Sequence, residues 1–222
     1  MNKLYSTVLF LGLAAVAGSA SAANNGWYVG VDLGQSKYDM VNSYVTSLGQ
    51  GLAEDGLPNN TSESDTATAY GVDVGYQFMR YFAVEGGYVD FGSATGDVNI
   101  TLAPPGDAHV SFHAKGETLF AVGILPVSDN FSLFGKLGIL AYSQDGAGSV
   151  SVESTSQALQ SGSHNGTTTG IGVGANFDFN SQFGLRLGFT RFHSVGDVDN
   201  NSAAIMGEGT IDMSYLQFLV HF

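Results

Sequence analysis

The chain has 222 residues, 31 of them glycine, with no cysteine and a net charge of −13 from 20 acidic and 7 basic side chains. Without cysteine, neither a disulfide framework nor a thiolate metal site can form. A charge this negative leaves no basic face for nucleic-acid phosphate, and glycine at roughly twice its average usage argues against long helices.

The chain opens MNKLYSTVLFLGLAAVAGSASA, with Lys3 before an apolar run from Val8 to Val16 and small residues ending Ala20-Ser21-Ala22. The run is too short to cross a bilayer, and the Ala-x-Ala triplet suits cleavage. Residues 1–22 are therefore predicted to be a secretory signal peptide, and residues 23–222 a single β-barrel domain.

Eight segments with period-two alternation follow. They are centred on residues 26–38, 68–78, 81–91, 110–125, 131–143, 168–179, 182–192 and 211–222, each about 9 to 11 residues or more, the length of a membrane-crossing strand. No segment reads as a helix. In the first, Val29, Val31 and Leu33 share one face while Gly30, Asp32 and Gly34 share the other. In the second, Tyr70, Val72, Val74, Tyr76 and Phe78 oppose Gly71, Asp73, Gly75 and Gln77. One face suits lipid; the other is small or charged.

The connections alternate in length. Long polar stretches follow the first, third, fifth and seventh segments, and tight turns follow the second, fourth and sixth. Short periplasmic turns and long external loops characterise an even-stranded outer-membrane barrel. Aromatics near segment ends, including Trp27, Tyr81, Phe131, Phe179 and Phe222, suit an interfacial girdle. The expected fold is an all-β, eight-stranded antiparallel up-and-down transmembrane barrel in the outer membrane of a Gram-negative type of bacterium.

GWYVGVDLG at 26–34, VEGGYVDFG at 84–92, ILPVSDNFSLFGKLG at 124–138, ANFDFNSQFGLRLGFTRF at 175–192, VGD at 195–197 and the terminal Phe222 together resemble the transmembrane domain of the OmpA-like outer-membrane proteins. The resemblance covers essentially all residues after 22 and implies an interior charge network, with Glu85, Lys136 and Arg186 at matching positions. Asn176 stands where that pattern often has a carboxylate. With the sequence ending at Phe222, no peptidoglycan-binding domain is expected.

Alternation places Arg186 in the lumen, since Leu185, Leu187 and Phe189 take the lipid face. Asp32, Asp73, Glu85, Lys136 and Asn176 complete the expected lumen network, and the many inward glycines are expected to leave room for water beside it. Lys115 and Glu117 stay unassigned, because placing both inside turns Leu119 inward as well.

Other motifs point to bland readings. His193-Ser194 would need its imidazole to reach the hydroxyl, but strand neighbours point to opposite faces. Asp197-x-Asp199-x-Asn201 with Glu208 mimics part of a calcium loop, yet Ser202 replaces the glycine that makes the turn. Asn59-Asn60-Thr61 and Asn165-Gly166-Thr167 match a glycosylation pattern of no consequence in a bacterial export context. His109, His113 and His164 read as ordinary polar residues.

The expected function is structural and surface-displaying, through a narrow charge-plugged lumen and acidic external loops; a small pore, or a conduit for small solutes or apolar molecules, is the alternative. No enzymatic activity, cofactor or dedicated metal site is expected. The expected partners are outer-membrane lipids and lipopolysaccharide, weakly held divalent cations at the acidic loops, and the barrel assembly machinery through the strand ending in Phe222. The chain is expected to be monomeric.

Overall fold

The computed structural model describes residues 26–101, 106–152, 155–158, 161–196 and 208–222. The predicted signal peptide and the Asp197, Asp199, Asn201 and Ser202 motif positions lie outside the described residues.

Eight long strands close into a ring: β1 (Gly26–Tyr38), β3 (Thr66–Met79), β4 (Phe82–Ile100), β5 (Gly106–Pro126), β6 (Phe131–Val152), β8 (Gly162–Asp178), β9 (Phe183–Val195) and β10 (Gly209–His221). Each pairs antiparallel with the next, and β1 meets β10 in register from Tyr28 opposite His221 to Tyr38 opposite Ile211. Closure satisfies the backbone within the ring, as hydrocarbon demands. Two short strands, β2 (Asn59–Ser64) on β4 and β7 (Thr155–Ala158) on β6, add to the projecting ends of the barrel.

Short turns at 80–81, 127–130 and 179–182 lie at one end with Gly26 and Phe222, whose amide donates to the Trp27 carbonyl at 2.9 Å. This is the periplasmic end. Trp27, Phe78, Tyr81, Phe82, Phe131, Phe179, Phe183 and Phe222 are all exposed around it, and Val31, Leu33, Val72, Val74, Leu187 and Phe218 are exposed above them.

The external connections differ from the sequence reading. Residues 92–109 and 144–167, read as loops, are mostly strand, because β4, β5, β6 and β8 run past the apolar band as paired hairpins. Polar residues pair as well as apolar ones once the partner strand is supplied by the hairpin, so composition alone misplaced these boundaries.

Residues 39–54, expected to be loop, form helix α1 (Asp39–Glu54). Asp39 sits favourably in its first turn. The Gly56 amide bonds the Ala53 carbonyl at 3.1 Å and the Leu57 amide bonds the Leu52 carbonyl at 2.9 Å. These two bonds form a Schellman stop that requires the left-handed φ of 79° at Gly56. Met40, Val41 and Val45 are buried beneath the helix, which packs on β2, β4 and β10.

A bulge in β4 sets Phe91 and Gly92 opposite the single residue Ala114, between the pairs Asp90 with Lys115 and Ser93 with His113. Gly92 takes φ 71° there. The groups freed from the ladder are claimed by β1 hydroxyls. Ser36 donates to the Phe91 carbonyl at 2.5 Å, and Tyr38 donates to the Gly92 carbonyl at 2.7 Å while accepting from the Ala114 amide at 3.2 Å. The bulge therefore leaves none of these three groups unpaired.

Candidate functional site

The interior has two storeys. Inward positions of the periplasmic storey are those the alternation picked out: Asp32, Asp73, Glu85, Lys136, Asn176 and Arg186 are all buried. Around the ring β4 and β9 lie four strands apart, on opposite walls. Glu85 from one and Arg186 from the other meet across the lumen, Nη1 to Oε1 at 2.5 Å, with their side chains 1% and 3% exposed.

That pair sits in a scaffold of neutral partners. Tyr28 donates its hydroxyl to the same Glu85 oxygen at 2.6 Å. Arg186 Nε donates to Asn176 Oδ1 at 2.7 Å, and Asn176 Nδ2 donates to Ser132 Oγ at 3.1 Å. An amide at 176 thus serves Arg186 while adding no second negative charge. The guanidinium also lies 4.6 Å from the Phe134 ring centroid, and the Lys136 ammonium lies 4.6 Å from that of Phe120 and 4.9 Å from that of Tyr215. Gln217 Nε2 donates to Asp73 Oδ2 at 2.8 Å.

The inward glycines do not leave the room expected of them. A Cβ on Gly75 would collide with the Tyr28 ring, one on Gly188 with Tyr215, one on Gly30 with Gln217, and one on Gly87 with Asp73. Each glycine is the bed in which a neighbouring strand's large side chain lies. Eight strands enclose little more than their own side chains, and glycine allows those side chains to be large. A cavity of about 290 Å³ does exist lower down, at the periplasmic mouth, between Arg80, Asp129, Asp178 and His221, with Arg186 at its roof.

The external storey is mostly apolar, although Gln144 is buried in it with Nε2 3.1 Å from Met40 Sδ. Tyr38, Phe91, Phe112, Leu140, Phe192 and Ile211 are buried in it, and Met40, Val41 and Val45 of α1 pack into it from the external end. Phe192 joins two walls, with ring centroids 5.2 Å from Phe91 and 6.2 Å from Phe120. The sequence reading did not foresee this storey. Its signal was the inward run Val110, Phe112 and Ala114, which continues to Phe120 and Val122 and leaves Lys115, Glu117 and Leu119 on the outer face of β5.

Lys115 and Glu117 are thus resolved: they face outward, beyond the Leu119 level and opposite Asp90 and Tyr88. On the same outer rim Arg191 makes a bidentate pair with Asp212 at 2.7 and 2.6 Å. Lys37 faces Asp65 at 3.4 Å. The His109 and His113 rings meet Asp97 and Asp90 at 2.7 and 2.9 Å. His193 and Ser194 close β9, where His193 gives its carbonyl to the Thr168 hydroxyl and Ser194 takes a left-handed φ of 50°. No group of three or more His, Cys, Asp or Glu that could hold a metal occurs among the described residues.

A family model for the OmpA-like transmembrane domain matches residues 22–218. The chain belongs to the OmpA-like transmembrane domain family. It is accordingly an outer-membrane protein of the Gram-negative envelope. Outer membrane protein A of Yersinia pseudotuberculosis is 27% identical to this OmpA-like chain over 192 residues, 86% of this chain and 47% of the relative. The chain thus spans about half the length of that curated relative. Among solved structures, Neisserial surface protein A is 13% identical with a TM-score of 0.45, covering 89% of this chain and 97% of its own. The N-terminal β-barrel domain of Pseudomonas aeruginosa OprF is also 13% identical, with a TM-score of 0.44 and coverage of 89% and 99%. These two likenesses concern fold alone.

Proposed function

We propose that this OmpA-like barrel is a structural, non-enzymatic outer-membrane protein that displays an acidic external surface and does not conduct. The reading rests above all on the Glu85–Arg186 pair, which spans the lumen from opposite walls with both side chains buried. The storey beneath α1 supports it, since Tyr38, Phe91, Phe112, Leu140, Phe192 and Ile211 are buried there above the ion pair. A reconstituted chain in a planar bilayer is expected to show no steady conductance. Stable nanosiemens-scale channels would replace this reading with that of a small pore.

The external surface carries many more carboxylates than cations, including Glu54, Asp55, Glu63, Asp65, Asp97, Asp107 and Asp145. Above a lipopolysaccharide layer that also bears phosphates, divalent cations would bridge the two weakly, without a fixed cage. Chelation is then expected to lower thermal stability slightly in lipopolysaccharide-containing membranes; indifference to magnesium and calcium would remove this part of the reading. The chain acts as a monomer without a cofactor or nucleic-acid partner, and its last strand, ending in Phe222, is what the assembly machinery would engage.

A further inference from the structure

The glycines of the outer wall pose a different question from those of the interior. A Cβ on Gly123 would come no closer than 3.8 Å to another atom, and one on Gly135 no closer than 3.9 Å. Packing does not require glycine at either place. Gly123 and Gly135 are register partners on the lipid face of β5 and β6, and glycine inside a strand weakens it unless something approaches closely.

Around these two residues runs a furrow made of two adjoining hollows of about 370 and 360 Å³ that share Phe82, Gly123 and Gly135. Its periplasmic end is walled by Tyr81, Leu125 and Leu133, and its upper end by Leu137, Ile171 and Val173. From Leu133 to Leu137 it follows roughly 13 Å of strand. The ridges of large side chains on both sides would hold a second barrel wall off the glycine floor. A stable protein contact needs about 800 Å² of complementary surface per partner, which a furrow does not present. A single hydrocarbon chain fits it.

A cation stands beside the periplasmic end of the furrow. Arg80 lies in the turn between β3 and β4, its guanidinium 5.9 Å from the centroid of the Tyr81 ring that walls the groove. Of the six cations after residue 22, Lys136 and Arg186 are buried in the lumen, and Lys37, Lys115 and Arg191 belong to the external rim. Arg80 is the one Lys or Arg at the periplasmic surface, where the phosphates of the inner leaflet lie; it also borders the lumen-mouth cavity that Asp129 and Asp178 line. We propose that this furrow is a binding site for one anionic phospholipid of the inner leaflet, its acyl chain on Gly123 and Gly135 and its phosphate on Arg80.

The test is native mass spectrometry of the full chain in mild detergent with equimolar palmitoyl-oleoyl phosphatidylglycerol and phosphatidylcholine. The wild type is expected to retain one phosphatidylglycerol in preference to phosphatidylcholine. Arg80→Gln should reduce that preference about fivefold, the weight of one surface cation near an anionic headgroup, while still holding either lipid. Gly135→Phe, which fills the furrow, should retain neither; Gly123→Leu serves the same purpose if the first variant fails to show a heat-modifiable gel shift. Unchanged lipid retention in a folded groove-filling variant overturns the proposal. So does an unchanged headgroup preference in Arg80→Gln, and so do wild-type dimers that Gly135→Phe dissolves.

Discussion

The periplasmic and external storeys of the lumen are built on the same alternating strands yet are held in opposite ways. Below, the inward positions are Tyr28, Asp32, Asp73, Glu85, Lys136 and Arg186, and cohesion depends above all on the Glu85–Arg186 pair. Above, they are Phe91, Phe112, Leu140, Phe192 and Ile211, and cohesion depends on filled volume. Strand periodicity therefore determines which residues share a face and says nothing about what that face meets. Apolar side chains face lipid on one part of the wall and one another inside it.

The sharpest way to break the comparison is Arg186→Ala, which leaves Glu85 buried beside a cavity. It should cost about 3 to 5 kcal/mol, less where water enters, measured by urea unfolding from lipid vesicles through the single tryptophan, Trp27. The same variant should raise conductance in a planar bilayer. A double replacement, Glu85→Gln with Arg186→Met, should lose less than Arg186→Ala alone. If the losses merely add, the lower storey is not organised around its ion pair.

Leu140→Ala in the upper storey should cost about 3 kcal/mol through transfer and cavity terms. A second upper-storey truncation far from it should add to that loss rather than offset it. Val45→Ala removes two methyl groups from beneath α1 and should cost roughly 1.5 kcal/mol, with conductance unchanged because the Glu85–Arg186 pair persists. A conducting Val45→Ala variant would assign the seal to the helix. Smallest of all, Arg191→Ala on the exposed rim should change stability only at low salt, the difference vanishing as ionic strength screens the Asp212 pair.

Much of this architecture was legible. Val29, Val31 and Leu33 opposing Gly30 and Asp32 is a pattern that only two-sided burial explains, and the alternation of long and short connections oriented the barrel. Arg186 between Leu185 and Leu187 pointed to an interior charge, while which of the expected network residues it meets, Glu85, came from the structure. The helix was missed although Val41, Val45 and Leu52 fall at helical spacing, because Gly49, Gly51 and the surrounding polar residues read as loop. The hairpin extensions were missed because Ser, Thr, Asp and Gly carry little strand propensity, and pairing there comes from the partner strand. The role of the inward glycines was misread because a sequence shows a missing side chain but not the neighbour that occupies its place.

The line from Tyr28 on β1 and Glu85 on β4 to Arg186 on β9, Asn176 on β8 and Ser132 on β6 has a mechanical consequence. A ring of hydrogen-bonded strands resists stretching around its circumference but can be squashed into an oval with little loss of wall pairing. These side chains act as spokes across the bore, and Glu85 to Arg186 spans a full diameter. Lateral pressure from a crowded membrane then meets a wheel rather than a hoop, and the cross-section stays round without thickening the wall.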